Sequence, residues 1–179
     1  MAKKKYKVNI LSKSSVDKLK QDLLKYKNDL DGKLVIFCEK LAEIGVQAAQ
    51  AKAYESPLGH HVSISVNSEK LDGKYHAYVT AIGDVKNSEG HAPFNTLLAI
   101  EFGAGIYHNK TLNPNANELG YGPGTFPGQI HAFEDGWYYW DEQSQEWHYT
   151  HGVKATMPMY NAFTEILDNV KKIAKEVFD

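Results

Sequence analysis

Apolar residues recur along this chain in two rhythms, one helical and one alternating. From Val16 they fall at Leu19, Leu23, Tyr26 and Leu30, in steps of three and four, which places them on one face of an amphipathic helix. After Asp31-Gly32 the stripe resumes at Leu34, Phe37, Leu41, Ile44, Ala48 and Ala51 with the same steps. Residues 14–55 are therefore expected to be helical, as one bent helix or as two helices joined at the Asp-Gly. Ser14 or Ser15 is placed to cap the start near Val16. The small residues between Ala42 and Ala53 allow close packing. The spacing is heptad-like and fits a coiled coil, but we expect an amphipathic helix lying on the sheet of its own domain.

The second rhythm alternates. Val62, Ile64 and Val66 face one way and Ser63 and Ser65 the other, which is the pattern of a half-buried strand over His61–Asn67. Leu71-Asp72-Gly73-Lys74 supplies a turn, and Tyr75–Asp84 reads as a second strand. Leu97–Gly105, LLAIEFGAG, continues the alternation, with Leu98, Ile100 and Phe102 opposed to Leu97, Ala99 and Glu101. It reads as a third strand leaving through Gly103-Ala104-Gly105, where absent side chains permit a sharp exit. The expectation for residues 61–103 is a three-stranded antiparallel meander.

Residues 104–135 carry neither period and are rich in Asn, Gly and Pro, with Phe126, Ile130 and Phe133 as anchors. So long a structureless stretch in a compact domain is usually functional or ordered by a partner. Gly136–Thr150 then reads as an aromatic hairpin. With Gln143-Ser144 at the turn centre, Trp140 faces Trp147 and Tyr138 faces Tyr149, all four on one side. The last rhythm is helical again, with Met159, Ala162, Phe163, Ile166, Val170, Ile173 and Val177 on one stripe and Pro158 in the first turn.

Together these predict a single α+β domain over residues 1–179. A flexible basic N-terminus (1–13) leads into the helical region (14–55) and the β-meander (61–103). A loop and aromatic hairpin insertion (104–150) then precedes a C-terminal helix (158–178). The antiparallel sheet, a three-stranded meander plus the aromatic hairpin, is expected to pack against the long N-terminal helical region and the C-terminal helix.

Composition narrows the partners more than the fold. All twenty basic residues are lysine, and ten of them lie in residues 1–33 against four aspartates, while the whole chain carries a net charge of −2. A chain without arginine lacks the forked donor that reads guanine, so sequence-specific nucleic-acid recognition is not expected. Lys3, Lys4, Lys5 and Lys7 suit phosphates or an acidic partner, or simply a solvated terminus. No apolar run is long enough for a membrane span and the N-terminus has no apolar signal core, so a protein that is cytoplasmic where it is made is expected, without membrane contact. The single cysteine, Cys38, lies in an apolar helical pattern and reads as a buried small hydrophobe.

Catalytic chemistry finds little to stand on. His148 and His151 are three apart in a strand or its exit, where neighbours alternate sides, and His60-His61 has no partner motif, so no metal site is expected. Glu101 sits among apolar residues without a second carboxylate, histidine or nucleophile nominated beside it. We expect its carboxylate to accept backbone N–H groups or to pair with a lysine, fixing a junction with Gly103, Gly105 and Pro158. The Gly122–Gly128 cluster lacks the Lys-Ser/Thr of a phosphate loop, and its prolines remove donors. No catalytic residue, metal ligand or cofactor is assigned. The aromatic segment, Trp137, Tyr138, Trp140, Trp147 and Tyr149 with Tyr121 and Phe126, could cover its own core, stack on a sugar or bases, or contact a protein partner. Its acidic flanks disfavour nucleic acid.

The order of LLAIEFGAG, the Gly/Pro/aromatic insertion, GWYYW…EWHYTHG and ATMPMYNAF before a final helix resembles a known family. It is similar to the minor tail-component, or tail-completion (neck), proteins of long-tailed siphovirus-type bacteriophages. The resemblance spans nearly the whole chain and is most specific at Ile100-Glu101-Phe102-Gly103 and Pro158-Met159-Tyr160-Asn161-Ala162. It implies a non-enzymatic structural protein of the virion's head–tail junction, made in the bacterial host cytoplasm. The implied partners are other neck, tail or connector proteins and further copies of the chain, as a homo-oligomer or ring near packaged DNA. The alternative is a carbohydrate- or other ligand-binding module using hairpin 137–149, and behind it a metal-dependent hydrolase.

Overall fold

A computed structural model describes residues 6–9, 11–86, 94–105, 113–116, 118–119, 135–141 and 144–179. Helix α1 runs from Lys13 to Tyr54 without interruption. Ser12, rather than Ser14 or Ser15, caps it: the Ser12 hydroxyl accepts from the backbone N–H of Ser15 at 3.3 Å. The helix passes straight through Gly32, where an added Cβ would meet nothing within 4 Å. The stripe therefore shifts at Asp31-Gly32 without the backbone breaking.

A single 3-10 turn, Gly59–His61, leads into a hairpin of β1 (Val62–Leu71) and β2 (Lys74–Gly83). These pair antiparallel from Val62 opposite Gly83 to Leu71 opposite Lys74. The tight connection puts Asp72 at φ 50° and Gly73 at φ 75°, the left-handed geometry a two-residue hairpin turn needs. Beyond Asp84 the pairing dwindles to β3 (Val85–Lys86) against β4 (Phe94–Asn95).

The expected third strand of the meander is instead helix α2, Thr96–Phe102. Two physical features decide it. The Asn95 side chain accepts from the Leu98 N–H at 3.2 Å and so opens a helix. Ala99, Ile100, Glu101 and Phe102 are also buried in succession, whereas a half-buried strand would send alternate residues to its exposed face. A short apolar run satisfies both periods, and the cap resolves which one folds. The sheet expected over residues 61–103 is thus one long hairpin and a two-residue bridge, and the described strands form three separate two-stranded antiparallel sheets. The architecture remains mixed α and β.

The last sheet pairs β5 (Trp137–Asp141) with β6 (Glu146–Thr150). Helix α3, Pro158–Phe178, then closes the chain. It lies antiparallel on the second half of α1: Phe178 meets Phe37 with ring centroids 5.7 Å apart, and the Glu176 carboxylate pairs with Lys40. The core sits where α1, α3 and β2 converge. At Gly45 an added Cβ would lie 2.6 Å from Ile166 Cδ1 and 2.9 Å from Val79 Cγ2. Ala42, Gly45, Ala49 and Ala53 form the buried seam that lets α3 and the sheet approach this closely. The first half of α1 contributes nothing to that core, since its buried residues begin only at Leu41. The expectation that the whole helical region lies on its own sheet therefore holds only from about Phe37 onward.

Candidate functional site

Glu101 is buried, with 6 % of its surface exposed, and its side chain is fully engaged. One carboxylate oxygen accepts from the Met159 N–H at 2.8 Å. The other accepts from the Tyr160 N–H at 3.1 Å and from the Asn113 side-chain amide at 2.8 Å. Met159 and Tyr160 occupy the first turn of α3, whose N–H groups have no partner within the helix. Residue Met157, at φ 55°, offers that helix no side-chain cap, and Pro158 has no N–H to satisfy. A carboxylate from α2 thus caps α3, where the helix dipole favours negative charge. Burial nevertheless pushes the Glu101 carboxyl above the usual carboxylate range, against the lowering effect of the three N–H donors.

The backbone repeats the same join. The Ile100 carbonyl accepts from Thr156 N–H at 2.8 Å and from Met157 N–H at 3.1 Å. Ala104 and Val153 exchange both of their backbone hydrogen bonds, at 2.8 and 3.1 Å. This approach leaves no room for a side chain at Gly152, where a Cβ would stand 1.9 Å from the Ala104 carbonyl oxygen. Gly103 and Gly105 take φ of 84° and 64°, so the chain leaves α2 through left-handed geometry that glycine adopts at little cost. Ile100–Gly103 and Pro158–Ala162, the two stretches in which the family resemblance is most specific, therefore touch in space. Asn113 and Gly152 were not among the sequence-derived candidates. Asn113 lies in a loop without period, and only its neighbour Pro114 marks it as a fixed turn.

The aromatic hairpin rises from this junction. Tyr138 stands opposite Tyr149 and Trp140 opposite Trp147. The tyrosine rings lie 5.0 Å apart at 56° and the tryptophan rings 5.6 Å apart at 67°, tilted pairs of the kind aromatic rings prefer. All four are exposed, from 44 % at Trp140 to 66 % at Tyr138, so this face does not cover the protein's own core. The hairpin's main contacts are between its own strands. Its base is fixed by the Tyr149 hydroxyl, which donates to the Asp135 carbonyl, and by Gly136, where a Cβ would collide with the Thr150 carbonyl and the Tyr149 ring. Trp137 lies in β5 opposite Thr150. Tyr121 and Phe126 lie outside the described residues.

The remaining chemistry-bearing residues are scattered. Cys38 is half-buried rather than buried, and burial followed by the neighbouring Glu39 carboxylate raises its thiol pKa, the reverse of an activated nucleophile. The His61 ring bonds Asp84 at 2.9 Å, and His148 bonds Ser144 at 2.8 Å, in different parts of the fold. Among the described residues no three His, Cys, Asp or Glu side chains converge as metal ligands, and no helix is long and apolar enough to cross a membrane.

No family model, curated protein or solved structure matches the chain.

Proposed function

We propose that this chain is a structural protein of the head–tail junction of a long-tailed bacteriophage, a neck or tail-completion component that acts through protein–protein contacts. Its setting is the virion, assembled in the host cytoplasm, with other neck, tail or connector proteins as partners and packaged DNA nearby. The phage assignment rests on the ordered resemblance of the LLAIEFGAG stretch, the aromatic insertion and the Pro158 helix start. The contact role rests on one observation: Tyr138, Trp140, Trp147 and Tyr149 form an exposed aromatic face on a hairpin anchored at its base. Tyrosine and tryptophan give large, stiff contact area at low entropic cost, which suits interface anchors.

A catalytic reading is less well supported. Glu101, the most interesting acid in the sequence, has both oxygens occupied by helix-capping and loop-fixing donors, so neither is turned toward a substrate. A sugar-stacking reading has the right residues, but the paired rings are steeply tilted and share no flat platform.

The test is genetic. Deleting the gene in its phage and imaging the lysate is expected to show separate filled heads and tails. Fully joined, infectious particles would sink the proposal. Restoring the gene with Trp140 and Trp147 changed to alanine should reproduce the deletion if the hairpin makes the contact.

A further inference from the structure

The aromatic hairpin stands in the most one-sidedly charged part of the chain. Residues 111–153 hold six acids and no lysine, while the rest of the chain carries all twenty lysines against sixteen acids. Toward the hairpin's tip, Asp141 and Glu146 stand opposite each other in register, one position beyond the Trp140–Trp147 pair. Asp135 lies at its base. Among the described residues Asp135 and Glu146 are exposed, and neither enters an ion pair. Negative charge therefore borders the exposed aromatic face, unbalanced at both of these acids.

Three kinds of partner meet such a face differently. A nucleic acid or other polyanion is repelled. A purely apolar surface would strip water from the acids and leave them unpaired. An arginine or lysine meets both features at once. The face of an aromatic ring carries negative electrostatic potential, and the neighbouring carboxylates add ordinary charge attraction. The tilt that spoils a flat stacking platform does not matter to a cation, which needs only one exposed ring face at a time. The two ring pairs lie two residues apart along the strands, ~7 Å, which matches alternate side chains of an extended segment.

We infer that the Tyr138, Trp140, Trp147 and Tyr149 face receives a cationic segment of a partner protein, with arginines or lysines at alternate positions lying over the two ring pairs. Arginine suits the site better than lysine, because its guanidinium is more weakly hydrated and stacks on aromatic rings. This chain contains no arginine, so the partner that fits best is a different protein. The inference names the partner's chemistry for the contact role proposed above and rests on that role, not on the phage assignment.

Three acetylated, amidated peptides test it on the full-length protein. One alternates arginine with alanine, one replaces each arginine with citrulline, its neutral isostere, and one replaces each with glutamate. Binding is read by tryptophan fluorescence and calorimetry, with circular dichroism recorded on every variant. The arginine peptide is expected to bind about tenfold more tightly than the citrulline peptide and to weaken with salt, and the glutamate peptide to stay unbound. Glu146→Lys should weaken the arginine peptide and Trp147→Ala should abolish its binding. Trp147→Tyr, which keeps a ring at that position, should retain most of it. Equal affinity for the arginine and citrulline peptides, binding untouched by Trp147→Ala, or no binding of the arginine peptide at millimolar concentration would each overturn the inference. The contact role itself stands or falls in the assembly assay with Trp140 and Trp147 changed, so the two failures are told apart.

Discussion

The carboxylate of Glu101 holds the backbone N–H of Met159 at 2.8 Å across fifty-eight residues of chain. With the Tyr160 N–H on its other oxygen, it caps a helix to which it does not belong. The start of α3 is thereby tied to the end of α2 by one side chain, and the exit toward the aromatic hairpin is fixed beside it. Replacing Glu101 with alanine strands two helix N–H groups and the buried Asn113 amide. At ~1–3 kcal/mol for each unsatisfied group, the expected loss is on the order of 3 kcal/mol or more. Glu101→Gln keeps the shape but turns an amide N–H toward another donor, so it should cost less, ~1–3 kcal/mol. Urea unfolding at constant slope measures both.

The same residue predicts a pH dependence. Burial raises the Glu101 carboxyl in the folded state above its ordinary value in the unfolded chain. The folded protein then binds that proton more tightly than the unfolded chain does. Its contribution is complete below the unfolded pKa and is lost as pH rises through the raised folded-state pKa. The stability advantage of wild type over Glu101→Gln should therefore shrink as pH rises from the acid side toward neutrality. Parallel melting-temperature profiles for the two proteins would assign the slope to other carboxylates.

Two glycines of α1 should respond in opposite directions. Gly32 lies in an exposed helix interior with open space around it, so Gly32→Ala should stabilise the protein by about 0.5–1 kcal/mol. Gly45 faces Ile166 and Val79 at distances shorter than real Cβ contacts. Gly45→Leu would overpack that convergence and should cost roughly 1–3 kcal/mol. Thermal melts of the two variants beside wild type check both signs.

Helix periods were the most legible feature of the chain. The stripes of α1 and α3 extend over many turns, and no strand pattern competes with them at that length. The alternation at Val62–Val66 was legible for the same reason, with Ser63 and Ser65 marking the solvent side. Thr96–Phe102 was misread because seven residues carry too few turns to separate a period of two from one of 3.6. The deciding residue, Asn95, lies outside the apolar run. The Glu101 junction was legible only as chemistry, an acid among apolar neighbours that needed donors. Which donors these were depended on a contact between distant segments, and no local pattern encodes that. Likewise, heptad spacing alone could not show that half of α1 has no sheet beneath it. Among the described residues, burial along α1 that begins only at Leu41 shows it.

The hairpin separates stability from contact. Trp140 and Trp147 are 44 % and 65 % exposed and pair with each other, so removing the more exposed Trp147 ring forfeits a tilted aromatic pair worth about 0.5–1.5 kcal/mol. Trp147→Ala should therefore leave the α1–α3 core folded, with only a small fall in melting temperature. If the face meets a protein partner, the same change should remove a central anchor and lower affinity by at least 2 kcal/mol, about thirtyfold. Titration against tail or connector proteins, with intrinsic fluorescence and circular dichroism recorded on the same samples, distinguishes the two effects. A variant that binds as well as wild type would show that the tryptophan pair serves the hairpin alone and that the contact surface lies elsewhere.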